Sequence, residues 1–269
     1  MKIKVLKFGG TSVGSVEAIK RSANIICDWS KKSKVIVVLS AMSGETDRLI
    51  NLTKSFSKSP NPVDFDNAIS TGENLSCALM SIYLNNQKTK SKSLHSWQIP
   101  IMTSSEHMKS RILSINKKFL LNELENLDVL VVPGFQGINE RREITTLGRG
   151  GSDTSAVAVA AAMDAECIIY TDVEGVFTTD PNIVPNAKKI NKISYEEMLE
   201  LASQGAKVLQ TRSVELAMRK NTKLSVRSSL KPKKIGTIIT DEKSVLEKNT
   251  VSGIAYTKDE AKITLSRVL

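Results

Sequence analysis

Apolar runs of strand length alternate with segments of helical periodicity along most of this 269-residue chain, and few folds accommodate that order. Lys4 to Phe8, Lys34 to Leu39, Gln98 to Thr103, Val129 to Pro133 and Cys167 to Thr171 place apolar residues at nearly consecutive positions, which suits strands covered on both faces. Alternating with helices, such strands predict an α/β class: parallel βαβ units with helices on either side of one sheet. Val16, Ile19, Ala23 and Ile26 fall on one helical stripe after the first strand. Further helices are predicted from Ser152 to Ala165, with Ser152-Asp153 as N-caps, and from Ser194, at capping-box spacing from Glu197, to Gly205. Another runs from about Val208 to Lys220. Ser55 to Pro62 and Asn85 to Ser93 read as polar loops, and Leu224 to Ser228 as a last strand.

Composition removes several classes. Charged residues at 25% and hydrophobic residues at 41% are ordinary for a globular protein and exclude disordered, collagen-like and fibrous chains. No apolar run approaches the roughly 18 residues of a membrane span, and Met1 to Phe8 alternates lysine with apolar residues, unlike a signal peptide. A cytoplasmic protein without a membrane partner is expected. The excess of 38 basic over 28 acidic residues leaves +10, but the lysines are dispersed and only 4% of residues are aromatic. That pattern argues for attraction of anionic metabolites rather than for a nucleic-acid partner. Cys27, Cys77 and Cys167 form no CxxC pair, and His95 and His107 stand apart from them, so neither a disulfide framework nor a protein-held metal is expected.

Four loops at strand ends carry the chemistry. Lys7-Phe8-Gly9-Gly10-Thr11-Ser12 stands between a strand and an amphipathic helix, where exposed backbone N–H groups and a helix N-terminus favour an anion and a lysine supplies a point charge. A tight turn with a surface lysine accounts for this segment equally well on its own. Leu147 to Thr154 sets Gly148, Gly150 and Gly151 around Arg149. Packing seldom needs three glycines, and the arginine suits bidentate capture of a carboxylate or phosphate. Thr171 to Pro181 reads as two turns, with Gly175 and Asp180-Pro181 as turn residues. Ser40 to Gly44 with Thr46, and Ser70-Thr71-Gly72-Glu73, add hydroxyls and an acid that helix capping would also explain. Together these loops suggest a site for two anionic ligands.

At these residues the chain resembles the aspartokinases. KFGGTS at Lys7 to Ser12, STGE at Ser70 to Glu73, PGFQG at Pro133 to Gly137, TTLGRGGSD at Thr145 to Asp153, TDVEGVFTTDP at Thr171 to Pro181 and GAKVL at Gly205 to Leu209 follow the family's order over about Lys4 to Leu230. The resemblance implies the amino-acid-kinase fold, an αβα sandwich around a mostly parallel sheet. It also implies phosphorylation of the L-aspartate side-chain carboxylate by ATP with Mg²⁺, the first step towards lysine, threonine, methionine and diaminopimelate. Carried over motif by motif, it makes Lys7 and Asp153 catalytic and gives Lys7, Gly9, Gly10, Thr171, Asp172, Phe177 and Lys207 nucleotide contacts. Ser40, Thr46, Glu73, Arg149 and Ser152 would bind aspartate, with Glu73 facing its amino group and Arg149 its α-carboxylate.

Three departures from the family pattern stand out: Asn182 where an arginine usually follows TTDP, Phe177 in place of tyrosine, and Gln210-Thr211 in place of His-Pro. A catalytic domain at 1–230 is expected, followed at 231–269 by a linker and the start of an ACT regulatory module, since Val251 to Ala255 and Ile263 to Leu265 resemble its opening. So short a segment would not bury its own core. Feedback inhibition is not expected of this chain alone; the segment would either pair with another subunit, in a homo-oligomer or with a separately encoded regulatory chain, or stay disordered. Two alternatives remain at this point: a relative acting on glutamate, acetylglutamate, carbamate or UMP, and a non-catalytic assembly subunit.

Overall fold

The computed structural model describes residues 2–99, 101–206, 208–241 and 253–255. Its strands are β1 (Ile3–Phe8), β2 (Lys34–Leu39), β3 (Ser91–Ser93), β4 (Ile101–Thr103), β5 (Ile112–Ile115), β6 (Val129–Pro133), β7 (Gln136–Ile138), β8 (Ile144–Thr146), β9 (Glu166–Thr171), β10 (Lys192–Ser194), β11 (Leu224–Ser228) and β12 (Thr237–Thr240). Its helices are α1 (Val16–Ser30), α2 (Glu45–Phe56), α3 (Pro62–Ile69), α4 (Thr71–Asn86), α5 (Lys117–Glu125), α6 (Gly151–Ala162), α7 (Tyr195–Ser203) and α8 (Thr211–Arg219). Eight strands form one sheet in the order β10-β12-β11-β9-β1-β2-β6-β3. Only the β11/β12 pairing in it is antiparallel.

The apolar runs become central strands because alternate side chains fill opposite faces. Val5 packs into the core that takes residues from α5, α6, α7 and α8, while Leu6 and Phe8 enter the core shared with α1 and α4. The mostly parallel sandwich is therefore as expected. The sheet also continues past residue 230, since β12 pairs with both β10 and β11.

Several local expectations are corrected. Val16 is 59% exposed, so the buried stripe of α1 runs through Ile19, Ser22, Ala23 and Ile26 and leaves out its first residue. Among the described residues of the 98–103 run, Ile101–Thr103 is strand, and it belongs to a second sheet, β5-β4-β7-β8. Ser91–Ser93, expected as loop, pairs in parallel with β6 at the sheet edge, where a polar strand is suited to solvent. Helix α6 starts at Gly151, and its N-cap is Gly150 in the left-handed conformation (φ 69°) with no side-chain cap. Ser152 and Asp153 thus lie in its first turn, not at the cap. Helix α8 starts three residues later than expected, because Gln210 is still extended at its N-cap. The Ser194–Glu197 capping box of α7 is present in both directions.

Among the described residues no helix is long and apolar enough to cross a membrane. The Ile263 to Leu265 run, and Val251 and Ser252 before it, lie outside the described residues. Within 253–255, the Ile254 N–H donates to the Thr178 carbonyl at 2.7 Å.

Candidate active site

Parallel neighbours bring the C-terminal ends of β1, β2, β6, β9 and β11 to one edge of the sheet, the edge at which ligands bind in open α/β folds. Short contacts hold the loops there together. Ser12 Oγ donates to Ser229 Oγ at 2.9 Å, and the Ser229 N–H donates to the Thr171 carbonyl at 2.8 Å. Gly10 lies so close to the 40–44 loop that a Cβ on it would stand 3.0 Å from the Ala41 carbonyl oxygen, and one on Gly134 would stand 2.7 Å from Ser152 Cβ. These glycines let the loops after β1 and β6 reach their neighbours.

Lys7 is the penultimate residue of β1, within the strand expected over 4–8, and at 9% exposure it is buried and not a surface lysine. Its Nζ lies 2.5 Å from Asp153 Oδ1, on the first turn of α6. That ion pair joins the Gly9-Gly10 turn to the loop carrying Arg149. A Cβ on Gly9 would fall 3.4 Å from the same ammonium, so the lysine head borders the glycine turn. Arg149 itself is exposed, between Gly148 (φ 78°) and Gly150 (φ 69°), and makes no ion pair among the described residues.

Glu73 sits on the first turn of α4 and is 3% exposed. Its Oε1 accepts from the Ala41 N–H at 3.1 Å, while Oε2 is buried with no hydrogen-bond partner. Burial pushes this carboxyl up to about 8 against the pull of its backbone hydrogen bonds. A buried acid with one oxygen unspent is a receptor for a cation. Ser40 follows β2 directly, and Thr46 lies in the first turn of α2. Neither hydroxyl caps that helix, whose N-cap is Gly44 without a side-chain bond.

On the other side, Thr171 ends β9 and donates from Oγ1 to Asp172 Oδ1 at 2.9 Å, and Asp172 is exposed. Phe177 is half-buried in an isolated bridge to Lys189. Lys207 lies outside the described residues. Asn182 is exposed on a turn in which its N–H donates to Asp180 Oδ1. Gln210 covers Gly150 closely enough that a Cβ there would meet its Cγ at 2.0 Å. This departure therefore bears on the Arg149 loop more directly than on the Thr171 turn.

Sequence reasoning missed the residues that brace the Arg149 loop from behind. Arg212, on α8, donates to the Leu147 carbonyl at 2.9 Å and to the Ser110 carbonyl at 2.8 Å. Asp66, on α3, accepts from the Thr146 N–H and hydroxyl. The available signal for Asp66 was a charged residue flanked by Phe65 and Ile69 on a short helix's inner side.

The chain matches the amino acid kinase family over residues 2–228. It is 49% identical over 271 residues to an aspartate kinase of Pseudomonas putida, an alignment covering all of this chain and 66% of that protein. It is 44% identical to an aspartokinase of Rickettsia felis, covering 68% of that protein. Among solved structures, E. coli aspartokinase III in complex with aspartate and ADP superposes with a TM-score of 0.78 at 26% identity, over 90% of this chain and 65% of that one. The chain thus spans just under two thirds of the Pseudomonas relative's length. With the sheet order, the loops gathered at the strand ends and these matches in agreement, the chain belongs to the amino acid kinase family, on its aspartokinase branch.

Proposed function

We propose that this chain transfers the γ-phosphoryl group of ATP to the side-chain carboxylate of L-aspartate, giving 4-phospho-L-aspartate. That reaction is the entry step towards lysine, threonine, methionine and diaminopimelate. The observation that carries the reading is the buried Lys7–Asp153 pair, which places a cation between a glycine turn and the Arg149 loop. Aspartate and ADP, held together in the superposable E. coli enzyme, supply the ligand pair.

The chemistry suits the inventory. The attacking carboxylate is already ionised at neutral pH, so no general base is needed, and catalysis reduces to alignment and neutralisation of charge. Lys7, oriented by Asp153, would neutralise the transferring group, with the Gly9 and Gly10 amides beside it. Arg149 would fork onto the α-carboxylate with Ser152 close by, Glu73 would take the amino group with its free Oε2, and Ser40 and Thr46 would line the acceptor side. Thr171, Asp172, Phe177 and Lys207 would border the nucleotide. No three His, Cys, Asp or Glu side chains gather as a metal cage among the described residues. Mg²⁺, carried on phosphate and water oxygens, would supply counter-charge to the triphosphate. The catalytic elements would run past residue 230 to include β12, and the residues beyond it would lead into a regulatory module, through which a homo-oligomer or a separate regulatory chain would assemble.

The test offers the purified chain ATP and Mg²⁺ with aspartate, glutamate, acetylglutamate or UMP, following ADP release and trapping acyl phosphate with hydroxylamine. Hydroxamate with aspartate alone is expected. Turnover of another acceptor assigns a sister activity, and no turnover at all leaves an assembly subunit. Asn182→Arg is expected to lower the KM for ATP about tenfold, the lower end of a charge-assisted contact. Unchanged kinetics would place residue 182 away from the nucleotide.

A further inference from the structure

The acceptor pocket has two anchors from distant parts of the chain, Glu73 at the head of α4 and Arg149 before α6. An α-amino acid carries its ammonium and carboxylate on one carbon, so the span between its receptors must be held closely. Direct contact between the two anchors does not do this. Behind them lies Asp66, a carboxylate with 0% exposure. Its Oδ2 accepts from the Thr146 N–H at 3.0 Å, the Met108 N–H at 3.1 Å and His107 Nδ1 at 2.8 Å, and its Oδ1 accepts from Thr146 Oγ1 at 2.6 Å. A carboxylate is tolerated at such depth when donors fill its lone pairs, and here they come from two segments remote from α3.

A second stitch runs the other way. Gln136, the cross-strand partner of Thr146, is also fully buried. It donates from Nε2 to the Ser70 carbonyl at 2.9 Å, while its Oε1 accepts from Ser96 Oγ at 2.9 Å. Ser70 immediately precedes α4 and its Glu73, and Thr146 ends the strand that feeds the Arg149 loop. One rung of the β7–β8 hairpin is thus bound at both ends to the α3–α4 joint.

We propose that Asp66 is the positioning residue of the acceptor pocket: through Thr146 it holds the Arg149 loop at a fixed span from Glu73 and so sets the site for an α-amino acid. The proposal rests on the roles given above to Glu73 and Arg149. Asp66→Ala leaves the Thr146 and Met108 N–H groups without their acceptor, and should raise the KM for L-aspartate at least tenfold while the KM for ATP stays within twofold. Asp66→Asn keeps an oxygen for the backbone donors and offers its amide to the Thr146 hydroxyl, so it should recover most of the loss. Should the alanine variant fail to fold, Thr146→Val removes only the hydroxyl contact, and Gln136→Leu cuts the opposite stitch. Each should raise the aspartate KM several-fold with kcat and the ATP KM nearly unchanged.

Equal rises in both KM values, or an aspartate KM unmoved in Thr146→Val, Gln136→Leu and any folded Asp66→Ala alike, would overturn the positioning role. Wild-type chain that yields no aspartyl hydroxamate would instead overturn the underlying function. The two failures are therefore read from different samples.

Discussion

Lys7→Ala is expected to lower turnover by about 10³-fold or more, the scale on which a cation at a transferring phosphoryl group acts, and to weaken the fold as well. The second effect follows from position. Lys7 lies within β1 and is buried with Asp153, so truncating it strands a carboxylate inside the protein, at about 3–5 kcal/mol for a broken buried pair. A surface lysine on a turn would have left the melt unchanged. Replacing both partners, Lys7→Met with Asp153→Leu, should restore most of the stability, since apolar substitutes for a buried pair are often neutral, yet leave turnover lost. Urea melts beside the ADP-release assay separate the two consequences. Near-normal turnover in either variant would show that the phosphoryl group sits elsewhere.

Glu73 gives the second large effect. Folded and ligand-free, it keeps its proton up to about pH 8, whereas the unfolded chain releases it near 4.5. Between those values the folded state binds more protons. Stability from this group is therefore greatest below about 4.5 and declines as pH rises to 8, at about 1.4 kcal/mol per pH unit, and is level beyond. Binding an ammonium requires the ionised acid, so affinity for L-aspartate should climb over the same interval and flatten above 8. Glu73→Gln should abolish both trends and raise the KM for aspartate roughly 10- to 100-fold, the weight of a charge-assisted hydrogen bond. Parallel pH profiles for wild type and variant would remove Glu73 from the amino-group site.

What could be read from the chain, and what could not, divides by the distance over which information travels. The central strands β1, β2, β6 and β9 are legible because strands buried on both faces are apolar at nearly every position. The glycine loops are legible because close approach excludes side chains. The β5-β4-β7-β8 sheet was not: β4, β7 and β8 are three residues long, include Thr, Gln and Gly, and β4 pairs with partners before and after α5 and β6 in the chain. Propensity cannot find strands that non-local pairing creates. The site residues were named through family motifs, but their energetics were not visible there. Lys7 reads as an open cation at a strand end until its burial against Asp153 is seen, and nothing beside Asp66 in sequence announces donors from residues 107, 108 and 146.

Every residue from Gly151 to Ala160 in α6 is buried. The partial positive charge at the head of a helix ordinarily fades as dissolved ions gather around it. Here its first ten residues are enclosed by protein, so little of that screening reaches the dipole along the helix flank. Attraction of an anionic metabolite to this chain should then have two parts. The share from dispersed surface lysines should fall as ionic strength rises, while that from the shielded peptide dipoles persists in concentrated salt.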